Sequence, residues 1–124
     1  MDPRHRQRIK IVQNLFSCSF KKKTKTLPYP KLKEINKKIL KSIKEIDKLI
    51  ADEAPKFPIE KISKTDLSIL RWGVYELMIN KTLPHKVIIN EAIELAKDLA
   101  GEKSYGFVNA VLGKILLKVN SKNG

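Results

Sequence analysis

The chain has 124 residues, 42% of them hydrophobic, with 26 Lys and Arg against 13 Asp and Glu and a formal net charge of +13. Such a length gives one domain, spanning residues 1–124, that can bury about two-thirds of its unfolded surface. The lone cysteine excludes an internal disulfide and any multi-cysteine zinc site. No apolar run approaches the roughly 18 residues of a membrane span.

The charged N-terminus lacks the apolar core of a signal peptide, so a cytoplasmic location is expected. Charge is unevenly spread. Residues 1–48 hold 15 Lys and Arg against 4 Asp and Glu, a balance of +11, whereas residues 49–124 hold 11 against 9, a balance of +2. Clustered cations create a local potential that dispersed ones cannot, which points to a polyanionic partner.

In chain order, Asp2 and Pro3 read as the N-cap and first position of a helix running to about Cys18. Ile9, Val12, Leu15 and Phe16 form its apolar stripe. Arg4, His5, Arg6, Arg8 and Lys10 crowd its start, with Arg4 and Arg8 on one flank and Arg6 and Lys10 on another. Cys18, among apolar neighbours, reads as a small buried hydrophobe. Residues 20–31 form a lysine-rich loop broken by Pro28 and Pro30. A long helix is predicted from about Leu32 to Asp52, with Ile35, Ile39, Ile43, Ile46 and Ile50 inward and its lysines solvated.

Ala54 to Ile62 is a connector with Pro55 and Pro58. Ser63 and Asp66 resemble a capping box for a helix carrying Leu67, Leu70, Val74 and Leu77, widened by Ile69, Gly73 and Met78. So wide an apolar surface places that helix centrally. Pro84 opens the next helix, whose stripe is Ile89, Ala92, Ile93, Ala96 and Leu99 and whose stop is Gly101. Ser104 can cap a last helix bearing Val108, Val111, Leu112, Ile115 and Val119. No period-two run of useful length occurs. The fold class is all-α, about five principal helices with short connections.

Residues able to do chemistry are few. His5 and His85 lack metal-ligand neighbours at helical spacing and read as solvent-facing, so neither metal nor cofactor is expected. Glu91 reads as a structural partner of Arg71 rather than a general base. The glycines form no phosphate-cradling loop. Binding is therefore favoured over catalysis. Arginine contacts phosphate with its planar fork and stacks on bases, and aromatics at the start of the last helix lie where helix amides favour anions. Tyr105 reads as a surface residue there, while Phe107 is open between core plug and base stacker.

ILRWGVYELM, LPHKVIINEAIELAKDLAG and SYGFVNAVLGKI, together with the opening RHRQRIKIVQNLF, closely resemble the NusB family of transcription antitermination factors. The resemblance covers residues 4–16 and 63–116 with order and spacing intact. It implies an all-helical fold of two packed subdomains. It also implies binding of boxA-type single-stranded RNA from ribosomal RNA leaders, jointly with the ribosomal small-subunit protein NusE. That complex, with other Nus factors, keeps RNA polymerase elongating. By similarity Arg4, His5, Arg6 and Arg8, with neighbouring Lys10, form the RNA-contacting motif. Lys103, Tyr105 and Phe107 complete that surface, and Phe16 and Asp66 fall where members meet NusE. Lys103 stands where relatives are often acidic. Some members self-associate as homodimers. Two alternatives stay open: a helical domain of the kind that precedes the catalytic domain in ribosomal RNA cytosine methyltransferases, and a helical adaptor that never meets RNA. The chain's end at Gly124, with no methyltransferase segment, favours the stand-alone factor.

Overall fold

The computed structural model describes residues 2–20 and 26–123; residues 21–25 of the lysine-rich loop lie outside them. Six helices follow one another: α1 Pro3–Cys18, α2 Lys33–Lys41, α3 Ile43–Glu53, α4 Lys64–Tyr75, α5 His85–Leu99 and α6 Glu102–Asn123. Among the described residues there is no strand. Two of the starts, those of α1 and α4, carry a side-chain cap. Asp2 accepts from the Arg4 amide at 2.8 Å ahead of Pro3, and Ser63 Oγ accepts from the Asp66 amide at 3.2 Å. The reciprocal half of the expected capping box is missing at Asp66 Oδ1, which is buried without a partner.

The single helix expected over 32–52 is two helices. At Ser42 the amide turns back to Ile39 and Leu40 while its carbonyl receives the Ile46 amide, so the axis changes direction without a proline. The break keeps Ile39, Ile46 and Ile50 fully buried, while Ile35 and Ile43 are only half-buried. A straight helix would have carried all five on one line; the bend lets α2 and α3 each wrap the core.

Helix α4 is the axis of the molecule. It packs against α1, α2, α3, α5 and α6, and eight of its residues are buried, from Leu67 round to Tyr75. Gly73 permits the closest approach: a Cβ there would lie 3.0 Å from Leu112 Cδ1 on α6. Beyond Tyr75 the helix widens into one π turn, Glu76–Asn80, closed by the Lys81 amide on the Glu76 carbonyl at 3.0 Å. Lys81 sits in the left-handed region, with φ of 57°.

α5 and α6 pack against one another and are joined at Ala100 and Gly101. Ala96 O accepts from both of their amides at 2.9 Å, and Gly101 takes φ of 120°, which a side chain would strain. The inner face of α5 is Ile88, Ala92, Leu95 and Ala96, so it is rotated from the expected stripe, which omitted Ile88 and Leu95. α6 begins at Glu102, directly after Gly101 rather than at Ser104, whose amide bonds back to Gly101. One continuous core joins α1 to α6, with Val12, Leu15, Leu70, Val74, Ala92 and Ile115 among its members. Cys18 stays outside it: the residue is exposed, contrary to the expectation of a buried hydrophobe, at the last position of α1, beyond the buried residues Ile11, Val12, Asn14 and Leu15.

Candidate nucleic-acid interface

The cationic start of α1 is divided by the packing of the helix. His5 points inward. Its Nδ1 meets Glu91 Oε1 in a very short contact, and its Nε2 lies 2.6 Å from Asp98 Oδ2. The His5 side chain is 13% exposed and Glu91 14%, so the expectation of a solvent-facing histidine fails. Burial alone would push the imidazole pKa down. The Asp98 and Glu91 carboxylates outweigh that and hold it above the usual 6.5. His5 is thus an internal cation clasped by two carboxylates seven residues apart, two turns along one face of α5.

Arg8 joins the same joint. Its Nη1 lies 3.5 Å from Glu91 Oε2, and its guanidinium stands 5.9 Å from the Trp72 ring centroid on α4. At 16% side-chain exposure it is largely spent on internal contacts. Glu76, buried in the π turn, accepts from Asn80 Nδ2 at 3.0 and 3.2 Å. Desolvation pushes its pKa up, partly offset by Asn80 and by the charge of Arg8. The partner expected for Glu91, Arg71, pairs elsewhere: it makes two parallel bonds of 2.9 and 2.8 Å to Asp47 on α3. From sequence Asp98 belongs to an ordinary solvated face with Glu94 and Lys97, and Trp72 has no assigned role at the site. The two-turn spacing of Glu91 and Asp98 was the available signal, but nothing in it named helix 1 as the partner.

Arg4 and Arg6 face outward. The Arg4 side chain is 79% exposed, with only a 3.6 Å approach to Asp2, and Arg6 is exposed as well. Lys10 is half-buried along Tyr29, its Nζ 5.6 Å from the ring centroid. The His5–Asp98 bond brings this helix end beside the α5–α6 turn, so Lys103 and Tyr105 share one end of the molecule with the arginines. Both are exposed, and Lys97 Nζ lies 5.3 Å over the Tyr105 ring. Phe107 divides its surface: half-buried, it meets Phe57 edge-to-face at 5.4 Å and borders a cleft of about 280 Å³.

Phe16 lies at the other end of α1, roughly 18 Å from Arg4 at 1.5 Å per residue, and Asp66 in the first turn of α4. Phe16 is exposed and stacks edge-to-face on Phe20 at 5.0 Å, and Lys64 Nζ covers Phe20 at 5.3 Å. Thus α1 connects two surfaces, one cationic and one aromatic. Among the described residues, no group of three or more His, Cys, Asp and Glu is placed to hold a metal ion. No described helix is long and apolar enough to cross a membrane.

Fold and site together define an all-helical scaffold whose cationic corner is suited to a polyanion. The NusB family model matches residues 5–117, and the chain belongs to the NusB family. The transcription antitermination protein NusB of Clostridium botulinum (strain Kyoto / Type A2) is 49% identical over 85 residues, covering 68% of this chain and 59% of that protein. The NusB protein of Finegoldia magna is 42% identical over 84 residues, covering 68% of this chain and 61% of the relative. These alignments thus span about three-fifths of the relatives' length. NusB of T. maritima superposes with a TM-score of 0.73 at 33% identity, over 92% of this chain and 90% of that one. A complex of the antitermination factors NusB and NusE with double-stranded RNA contains a chain of the same fold, TM-score 0.72 at 24% identity, covering 94% and 98%. The relatives are antitermination proteins, in agreement with the expectation of a non-enzyme.

Proposed function

We propose that this chain is a transcription antitermination factor that binds boxA-type single-stranded RNA of ribosomal RNA leaders together with NusE. Its role is to keep RNA polymerase elongating in company with other Nus factors. The observation that carries this reading is the exposure of Arg4, with Arg6 round the helix from it, at the end of α1 that His5 ties to Asp98, and of Lys103 and Tyr105 just past the end of α5. Guanidinium groups there hold phosphates, and Tyr105 offers a face to an unstacked base. Phe107 contributes its free edge, and Lys10 flanks the phosphate path. His5 and Arg8 act through position: clasped by Glu91 and Asp98, they fix the angle at which Arg4 and Arg6 leave the surface. The solved NusB–NusE complex with duplex RNA supports NusE as partner and RNA as ligand class.

Phe16 with Phe20, and Asp66 in the first turn of α4, supply an aromatic and polar surface for NusE. Occupying both ends of α1 at once lets RNA and protein bind without competing. A homodimer covering the cationic corner would switch RNA binding off.

The test is a binding titration with boxA-like single-stranded, scrambled and duplex RNA, each with and without NusE. Tighter binding of the boxA-like strand, strengthened by NusE, supports the reading. Equal affinity for all three RNAs, or none, rejects it. Methyl transfer to RNA by the purified chain would favour the methyltransferase-linked alternative instead.

A further inference from the structure

Arg6 and Lys10 point away from the α5 joint, into a groove of about 530 Å³ between α1 and the Pro28–Leu32 turn that enters α2. Pro3, Arg6 and Lys10 form one wall; Tyr29, Pro30 and Lys31 form the other. No carboxylate lines it among the described residues. The outer wall lies outside the runs 4–16 and 63–116 that carry the resemblance in sequence, though within the residues 5–117 that the family model matches.

The wall is deliberately held. Asn14, fully buried on α1, donates to the Tyr29 carbonyl at 2.9 Å and accepts from the Tyr29 amide at 2.9 Å. The same Asn14 amide group donates to Asn36 Oδ1 at 2.8 Å, and Asn36, also buried, donates to the Ile11 carbonyl at 3.1 Å. Two buried asparagines satisfied in this way fix a loop in one place, since each bond lost would strand a polar group. What they fix is the backbone that carries the Tyr29 ring, opposite two cations one helical turn apart and with a third cation next in sequence but one.

We propose that this groove is a nucleotide subsite for the RNA strand: a base lies against Tyr29 between Pro3 and Pro30, with its phosphates on Arg6, Lys10 and Lys31. The inference rests on the RNA-binding reading and extends it to a second patch, around α1 from Arg4. The groove falls within the volume range of small-ligand sites, about 300–1,000 Å³. Three cations without a carboxylate select an anion, and an aromatic wall selects a planar ring over an acidic peptide.

The test uses the full chain with NusE and a short boxA-like RNA carrying 5-iodouridine at successive positions. Irradiation is expected to give an adduct on Tyr29, located by peptide mass mapping. Tyr29→Ala is expected to weaken binding about tenfold, the loss typical of one stacked base, with Tyr29→Phe close to wild type. Asn14 grips only the backbone of Tyr29, so these variants keep the network. Lys10→Gln with Lys31→Gln should lower the slope of log affinity against log salt by about 1.4, two contacts at roughly 0.7 each. Should Tyr29→Ala fail to fold, the crosslink and the lysine variants still decide. No adduct, with unchanged affinity and slope in these variants while Arg4→Glu still weakens binding, overturns the subsite and leaves the RNA reading standing. Absence of RNA binding by the wild-type chain overturns both.

Discussion

His5 and Arg8 look in sequence like two more members of a basic patch, yet their side chains are committed to Glu91, Asp98 and Trp72. Replacing one cation of such a joint leaves carboxylates buried with less compensation. Arg8→Ala should therefore cost about 2–3 kcal/mol of stability, read from urea unfolding. Arg4→Ala, at an exposed pair, should cost well under 1 kcal/mol. His5 adds a pH dependence. Its folded pKa is raised, so its contribution is fully present below the unfolded value near 6.5 and is lost as pH rises through the folded value. The melting temperature should therefore fall between neutral and alkaline pH more steeply in the wild type than in His5→Gln. Parallel curves for the two proteins would contradict a charged His5. The arginine-rich motif was legible from its residue types, but its division into outward and inward halves was not. That division depends on which face of α1 the acidic face of α5 meets, a tertiary fact that helical spacing cannot supply.

Among the elements, α4 and α6 were the most legible, because their apolar residues recur at helical spacing and the structure buries Leu67, Leu70, Val74, Val108, Leu112 and Ile115 as expected. The bend at Ser42 was hidden because the isoleucine pattern continues across it and no proline or glycine marks it. The rotation of α5 was hidden for a related reason: with apolar residues at 88, 89, 92, 93, 95 and 96, several stripes are available, and contact with α4 and α6 selects one. Cys18 was misplaced because apolar neighbours in sequence do not settle which face the end of a helix buries. Two element-scale variants test the packing. Gly73→Ala would press a methyl to 3.0–3.1 Å from the fully buried Leu112 and should lower stability by about 1–3 kcal/mol in thermal or urea unfolding. Asn14→Ala strips bonds from both polar groups of the Tyr29 peptide and from Asn36, and should cost about 2–3 kcal/mol. A loss below half a kcal/mol in either would show that the site relaxes.

Across the whole molecule, the helices serve to hold two surfaces apart on one rod. α1 carries the exposed arginines at its first turn and Phe16 at its last, and α4 pins the rod through contacts along its length. Charge asymmetry points to the proposed RNA face, since residues 1–48 carry +11 of the +13. Family membership is what narrows any polyanion to RNA in the proposed reading. The most direct measurement is the salt dependence of boxA-like RNA binding by wild type and Arg4→Glu/Arg6→Glu, with circular dichroism as the control for helicity. Single-stranded contacts contribute about −0.7 each to the slope of log affinity against log salt, so three or four contacts predict roughly −2 to −3 for the wild type. The double variant should retain its helicity, bind weakly and show a flattened slope. Unchanged affinity and slope in the folded variant would contradict the assignment of the α1 corner to RNA.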